Sequence, residues 1–190
     1  MKYIIGLFVT IGLLILLIVL LTMGGGSKTK VPNSSQTLES YANSSATVRL
    51  TVEGPINAPQ DHLATRITVS RDMTTYEQIR GYDGGVVKTQ SFPNTLSSYD
   101  SFLRAIELAG FTKGVTTDAL KNDRGFCALG SRYIFELDDG GKQLERYWSS
   151  SCSGPKTFNG NTNLNITLFR KQVPNFNDFS NDLNGSSNPF

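Results

Sequence analysis

The sequence predicts an α+β protein: an N-terminal transmembrane helix, followed by a mainly antiparallel sheet of about six strands with one or two packed helices. Three observations lead to this prediction. The chain begins with a long apolar run that carries no charge. Several later segments alternate apolar and polar residues, which is the period of a half-buried strand. One segment between them repeats its apolar residues every three or four positions, which is the period of a helix.

The apolar run covers residues 3–23. At about 1.5 Å per residue, a helix of this length crosses a hydrocarbon core of about 30 Å. A cleaved signal peptide is the alternative, but such peptides have apolar cores of only about 7–15 residues. The sequence therefore predicts a membrane anchor at residues 1–26 that contacts the lipid bilayer through residues 3–23. A polar stretch with Pro32 follows, so we expect a flexible linker over residues 27–45.

Two features of the sequence predict opposite orientations of the anchor. Lys2 precedes the helix, whereas Lys28 and Lys30 follow it, and the positive-inside rule would place those lysines in the cytoplasm. The two cysteines of the downstream domain favour an oxidising compartment instead. We expect a single-pass protein of the cell membrane with its C-terminal domain outside the cytoplasm.

The domain is predicted to cover residues 46–174. Residues 46–53 alternate strictly and form the first expected strand, and residues 63–69 form the second. Residues 74–81 and 86–92 flank an Asp-Gly-Gly turn and predict a hairpin. Residues 127–152 predict a second hairpin.

The clearest helix follows the first hairpin. Tyr99, Phe102, Leu103 and Ile106 lie on one helical face, and Gly110 stands where a left-handed C-terminal cap is favoured. Thr95 or Ser97 can cap its start. Residues 164–173 fit either a strand or a helix that ends before Pro174, and we favour the helix. The Asn- and Ser-rich residues 175–190 are predicted to form a disordered tail, in which Phe176 and Phe179 could dock.

The positions of the two cysteines predict a disulfide. Cys127 and Cys152 are equally far along the chain from an Asp139-Gly140 turn, so a regular hairpin places them opposite each other. Two reduced thiols are the alternative. A zinc site is disfavoured because no histidine is near enough to complete four ligands.

The last strand of that hairpin also suggests a binding surface. In the same register Tyr147 faces Arg132, off the core, beside Arg146. An exposed aromatic ring next to arginines is a plausible anchor for a partner, although it is also an ordinary cross-strand pair.

Other classes of site find little support in the sequence. His62 is the only histidine and has no nucleophile in a recognisable context, so we expect no catalytic residues. The net charge of +2, without a basic stripe, argues against nucleic acid as a partner. The turns rich in Asp and Gly lack the spacing of calcium loops, and no cofactor or metal is expected.

Three phrases of the chain resemble a known group of proteins. They are Gly110-Phe111-Thr112 after the helix, Arg146-Tyr147-Trp148 leading to Cys152, and Leu168-Phe169 before Val173-Pro174. The chain resembles small membrane-anchored proteins of uncharacterised function in reduced-genome bacteria of the Saccharibacteria type. The resemblance implies a location but no activity and no functional residues.

The function expected from these observations is a non-enzymatic binding or structural module of the cell envelope, with an envelope protein or surface ligand as its partner. An inhibitor or accessory subunit of a secretion or pilus complex is the first alternative. An enzyme with an unrecognised site is the second.

Overall fold

The computed structural model describes residues 36–180, which form a six-stranded antiparallel sheet with helices on one face. The strands are β1 (Thr47–Glu53), β2 (Leu63–Val69), β3 (Met73–Arg80), β4 (Gly85–Pro93), β5 (Arg132–Asp139) and β6 (Lys142–Ser150). Their order across the sheet is β4-β3-β2-β1-β5-β6. The predicted α+β class and the antiparallel sheet of about six strands are confirmed.

Alternation along each strand gives the sheet two different faces. Val48, Leu50 and Val52 of β1 are fully buried against the helices, and we call their side the core face. Arg49 and Thr51 lie between them and point to the other side, which we call the open face. Paired residues of neighbouring strands lie on the same face, so the open face brings together the charged side chains of Arg49, Glu136 and Arg146.

The first helix, α1 (Leu96–Leu108), starts and ends as its sequence predicts. The Thr95 side chain accepts a hydrogen bond from Ser98 N–H and so caps the start. At the other end Gly110 adopts φ 79° and donates to the carbonyl of Glu107, while Phe111 N–H reaches the carbonyl of Ile106. A left-handed residue after the last turn stops the helix and returns the chain toward the sheet.

The second helix, α2 (Thr162–Arg170), confirms the helical interpretation of this segment. Asn161 caps it by accepting from Leu164 N–H. Phe169 is fully buried and lies between Phe102 and Phe111, at ring-centroid distances of 5.1 and 6.0 Å. Aromatic edges and faces meeting at such distances contribute beyond their buried area.

The folded part extends at both ends beyond residues 46–174. A 3-10 turn at Leu38–Tyr41 buries Leu38, within the segment expected to be a linker. A short helix, α3 (Phe176–Ser180), packs Phe176 and Phe179 against Tyr76 with ring centroids 5.9 Å apart. Apolar side chains therefore tie both flanks to the core.

None of the helices within residues 36–180 has the length and hydropathy needed to cross a bilayer. The anchor predicted at residues 3–23 lies outside the described residues, as does the tail beyond Ser180.

The predicted register of the second hairpin is wrong. Asp139 pairs with Lys142, so the turn is Gly140-Gly141 rather than Asp139-Gly140. Both glycines have positive φ, at 57° and 77°, which is what a two-residue hairpin turn of the favoured kind requires. A register shift between Leu137 and Asp138 displaces the pairing further.

Candidate functional site

The disulfide between Cys127 and Cys152 is confirmed, but it does not lie within the hairpin ladder. The sulfurs are bonded at 2.03 Å and the Cα atoms are 5.6 Å apart. The ladder ends at the pair Arg132 and Ser150, so both cysteines belong to the loops beyond it. The bond therefore fastens the loop before β5 to the loop after β6, at one end of the sheet.

Tyr147 is not part of an exposed surface, contrary to the prediction. It faces Phe135 on the core face, is 7% exposed, and its ring packs on the backbone of Gly114. A slip of the register by an odd number of residues moves every side chain of a strand to the other face. The shifted turn and the register shift produce such a slip, and this is why the interpretation of Tyr147 is wrong.

Arg132 and Arg146, by contrast, both lie on the open face and are brought together by one carboxylate. Arg146 Nη2 is 2.6 Å from Asp123 Oδ1, and Arg132 Nε is 3.8 Å from Asp123 Oδ2. Asp123 comes from a 3-10 turn, Asp123–Gly125, that crosses the open face. Two of the three predicted surface residues therefore meet, but around a residue that the sequence did not single out.

Arg132 is fully buried and ties three segments of the chain together. Its guanidinium donates to Glu53 Oε2 at 3.1 Å, to the carbonyl of Gly54 at 2.9 Å and to the carbonyl of Cys127 at 3.4 Å. A buried charge is tolerated only when it is paired and hydrogen-bonded. Arg132 therefore acts as an internal tie, and Arg146 is the member of the pair that solvent can reach.

The ion pairs continue across the open face. Arg146 Nε is 3.6 Å from Glu136, which accepts from Arg49 Nη1 at 3.2 Å. Arg49 also pairs with Asp138 at 3.3 Å. The charges alternate in sign from strand to strand, so the network is close to neutral as a whole.

A cleft opens above this network, and we call it the charged cleft. Its volume is about 380 Å³, and its lining residues are Glu53, Lys121, Asn122, Asp123, Arg124 and Arg146. A second depression of about 270 Å³ adjoins it, because Lys121 and Arg146 line both.

Burial separates the charges of the charged cleft by sign. The side chains of Lys121, Arg124 and Arg146 are 68, 45 and 31% exposed. Those of Glu53 and Asp123 are 11 and 7% exposed. The carboxylates that line the cleft form its floor and the cations form its rim, where the Lys121 ammonium also pairs with the exposed Asp118 at 2.6 Å.

Trp148 holds the loop that carries this rim. Its indole Nε1 donates to the carbonyl of Leu120 at 2.7 Å, and its ring stacks on Phe126 at 5.2 Å. It lies on the open face opposite Ile134 and is 1% exposed. The register assumed from the sequence placed Trp148 on the core face, so its contact with this loop was not predicted.

A stack of three side chains flanks the charged cleft. The rings of His62 and Tyr82 are nearly parallel, with their centroids 4.0 Å apart. The Arg124 guanidinium lies 4.9 Å from the centroid of the Tyr82 ring. His62 is 1% exposed, with Nδ1 3.1 Å from the carbonyl oxygen of Pro55. Since a carbonyl only accepts, Nδ1 carries the proton. The stack fixes Arg124 in place at the rim.

The chemistry of the cleft is that of charge pairing. Within residues 36–180, no three His, Cys, Asp or Glu side chains are grouped so that they could hold a metal ion. The strongest pKa effect on a carboxyl lies elsewhere, at Glu145 on the core face, where burial raises the pKa to about 7. The rim can supply hydrogen-bond donors and positive charge to a ligand.

Comparison of the chain with protein-family models and with curated proteins gives no match.

Proposed function

We propose that this protein is a single-pass membrane protein whose domain lies outside the cytoplasm and binds an acidic partner in the charged cleft. The uncharged residues 3–23 support the anchor. The disulfide between Cys127 and Cys152 supports an oxidising compartment, because such bonds are rare where thiols are kept reduced.

The observation that supports a binding role is that the carboxylates of the cleft are buried whereas its cations are exposed. Glu53 and Asp123 are engaged below the surface by Arg132, whereas Lys121 and Arg124 reach solvent. A neutral network arranged in this way still presents a positive surface to an incoming group. Guanidinium groups match carboxylates and phosphates in geometry as well as in charge.

The same arrangement favours binding over catalysis. A general base or nucleophile needs an available lone pair near the reacting atom. The carboxylates of the cleft, Glu53 and Asp123, are each held in ion pairs with two arginines. We therefore propose a non-enzymatic module that recognises acidic groups of an envelope protein or surface polymer.

The binding role can be tested with labelled poly-L-glutamate and the purified full chain in detergent. We expect salt-sensitive binding, and no binding of neutral dextran. Lys121→Gln should weaken it about two- to five-fold, the range for one exposed ion pair. Lys121 pairs with the exposed Asp118, so its loss should not disturb the fold.

Lys171→Gln is the matched control, because Lys171 is an exposed lysine just after α2. It should bind poly-L-glutamate as the wild type does. Equal binding by both variants, or no binding by the wild type, would exclude the cleft as the site.

The location can be tested separately by adding protease to spheroplasts that express the full chain. We expect the domain to be digested from outside. Protection that ends only on lysis would place the domain in the cytoplasm, as Lys28 and Lys30 would favour.

A further inference from the structure

The two edge strands, β4 and β6, differ in whether other parts of the chain hydrogen-bond to their outer side. At β6 the Trp148 N–H donates to Thr157 Oγ1, and the Trp148 carbonyl accepts from Thr157 N–H and Phe158 N–H. Phe158 in turn bridges to Gly114. A crossing segment thus covers part of the β6 edge, as proteins commonly do to prevent unwanted pairing.

The β4 edge has no such cover in the described part of the chain. Within residues 36–180, no backbone hydrogen bond reaches the outer side of β4. Asn94 N–H donates to Asp72, so residue 94 points toward β3. Peptide groups alternate in direction along a strand, so those of Thr89, Ser91 and Pro93 point outward. Pro93 lacks an N–H, but its position points outward, so no hydrogen bond to β3 is lost.

Apolar side chains flank this open edge. Val86 and Val87 are 45 and 56% exposed, and they line a depression of about 600 Å³. On the core face Phe92 and Phe179 are half-buried, with ring centroids 5.8 Å apart. Unpaired peptide groups beside partly exposed apolar side chains are the features of a strand that pairs with another strand.

We propose that β4 pairs antiparallel with β4 of a second copy of this chain, so that two domains share one continuous sheet. With the two-fold axis at Gln90, Thr89 of each copy lies opposite Ser91 of the other. Both residues point their peptide groups outward, so each pair exchanges two hydrogen bonds. This symmetry makes the edge complementary to itself.

Charge supports a second copy as the occupant. Lys88 is the one charged residue of β4. In this register Lys88 of each copy lies opposite Phe92 of the other, so the two lysines do not face each other. Like charges placed directly opposite would oppose pairing, and this register avoids them.

The test uses Gln90→Cys in the full chain, in native membranes. The two native cysteines are bonded to each other, so the introduced thiol is the only free one. In the proposed register, Gln90 of both copies forms a pair with Cα atoms about 4.5 Å apart, within the range of disulfides. Mild oxidation should give a covalent dimer on a non-reducing gel.

Gln143→Cys is the matched control, since Gln143 is an exposed glutamine on the other edge strand, β6. It should give little dimer. Equal cross-linking of both variants would reflect chance collisions and would overturn the proposal, as would the absence of any Gln90→Cys dimer. A cross-link from Gln90→Cys to a different protein would assign the edge to another partner and would also overturn it.

Ser91→Pro provides a second, independent measurement. It removes an outward N–H and keeps the bonds to β3. The variant should be monomeric in detergent by light scattering while the wild type is dimeric, with near-ultraviolet circular dichroism confirming that it is folded. A folded Ser91→Pro variant that remains dimeric would contradict pairing through β4. If the variant does not fold, the cysteine comparison decides alone.

Discussion

Glu145 should make the stability of the domain depend on pH in an unusual direction. It lies on the core face of β6 opposite Leu137, is 8% exposed, and its Oε2 has no hydrogen-bond partner within the described residues. Burial penalises the charged form and raises the pKa from 4.5 to about 7.

The sign follows from comparing the folded and unfolded states. Above pH 4.5 the unfolded chain releases the Glu145 proton, whereas the folded chain holds it until about pH 7. The contribution of this carboxyl to the free energy of unfolding is therefore fully present below pH 4.5 and is lost as the pH rises through that window. The shift corresponds to at most about 3 kcal/mol.

Glu145→Gln removes the titration while keeping the shape of the side chain. We expect the variant to gain stability relative to the wild type as the pH rises from about 4 to about 8, by up to about 3 kcal/mol. The free energy of unfolding can be measured by urea denaturation at each pH for the wild type and the variant. The difference between the two isolates the contribution of Glu145, because the ion pairs are present in both proteins and their effect on stability changes with pH in the opposite direction.

Asp61→Asn is a suitable control, because Asp61 is exposed in the loop before β2. Comparison of the two variants separates the loss of a buried carboxyl from the loss of an exposed one. A difference for Glu145→Gln that does not change with pH would show that the carboxylate finds water or a partner when it ionises, and the reasoning from burial would be refuted.

Three further predictions concern the stability of single features. Replacing Cys127 and Cys152 together by serine should lower the free energy of unfolding by about 3 kcal/mol, because the bond closes a loop with a sequence separation of 25; chemical denaturation should give the same loss for the reduced wild type, and an unchanged midpoint would contradict it. Gly110→Ala should cost about 1–2 kcal/mol, since φ is 79° there, whereas Gly125→Ala, with open space around it, should melt near the wild-type temperature. Thr95→Ala should cost about 1 kcal/mol by removing the cap of α1, and Thr95→Ser should restore it, as thermal unfolding would measure.

The elements that local sequence specifies were predictable. The alternation along β1 and the caps Thr95 and Gly110 act within a few residues, so their outcome does not depend on the rest of the chain. The helical interpretation of α2 is also confirmed, but its apolar spacing fitted a strand as well, and the cap Asn161 was not identified from the sequence.

The candidate site was not predictable to the same extent, because it depends on the register of one hairpin. Replacing an Asp-Gly turn by Gly140-Gly141 and adding one irregularity after Leu137 moved Tyr147 into the core and Trp148 to the open face. Either turn satisfies local rules, so the residues around the turn do not choose between them. Asp123 reaches Arg132 only through the tertiary fold, so no spacing in the sequence could have linked them.

The order of the strands divides the sheet into two parts that meet along one seam. Within residues 36–180, the strands β1 to β4 follow one another as hairpins and β5 pairs with β6, while one remote strand pairing joins β1 to β5. It brings Thr47 beside Asp138, with α1 lying in the intervening chain. Hairpins close quickly, whereas remote pairing must first overcome the entropy of a long loop. We therefore expect the seam to form late in folding. The charged cleft straddles this seam, since its lining residues Glu53 and Arg146 belong to β1 and β6, so a chain whose two halves have not yet joined has no cleft with which to bind.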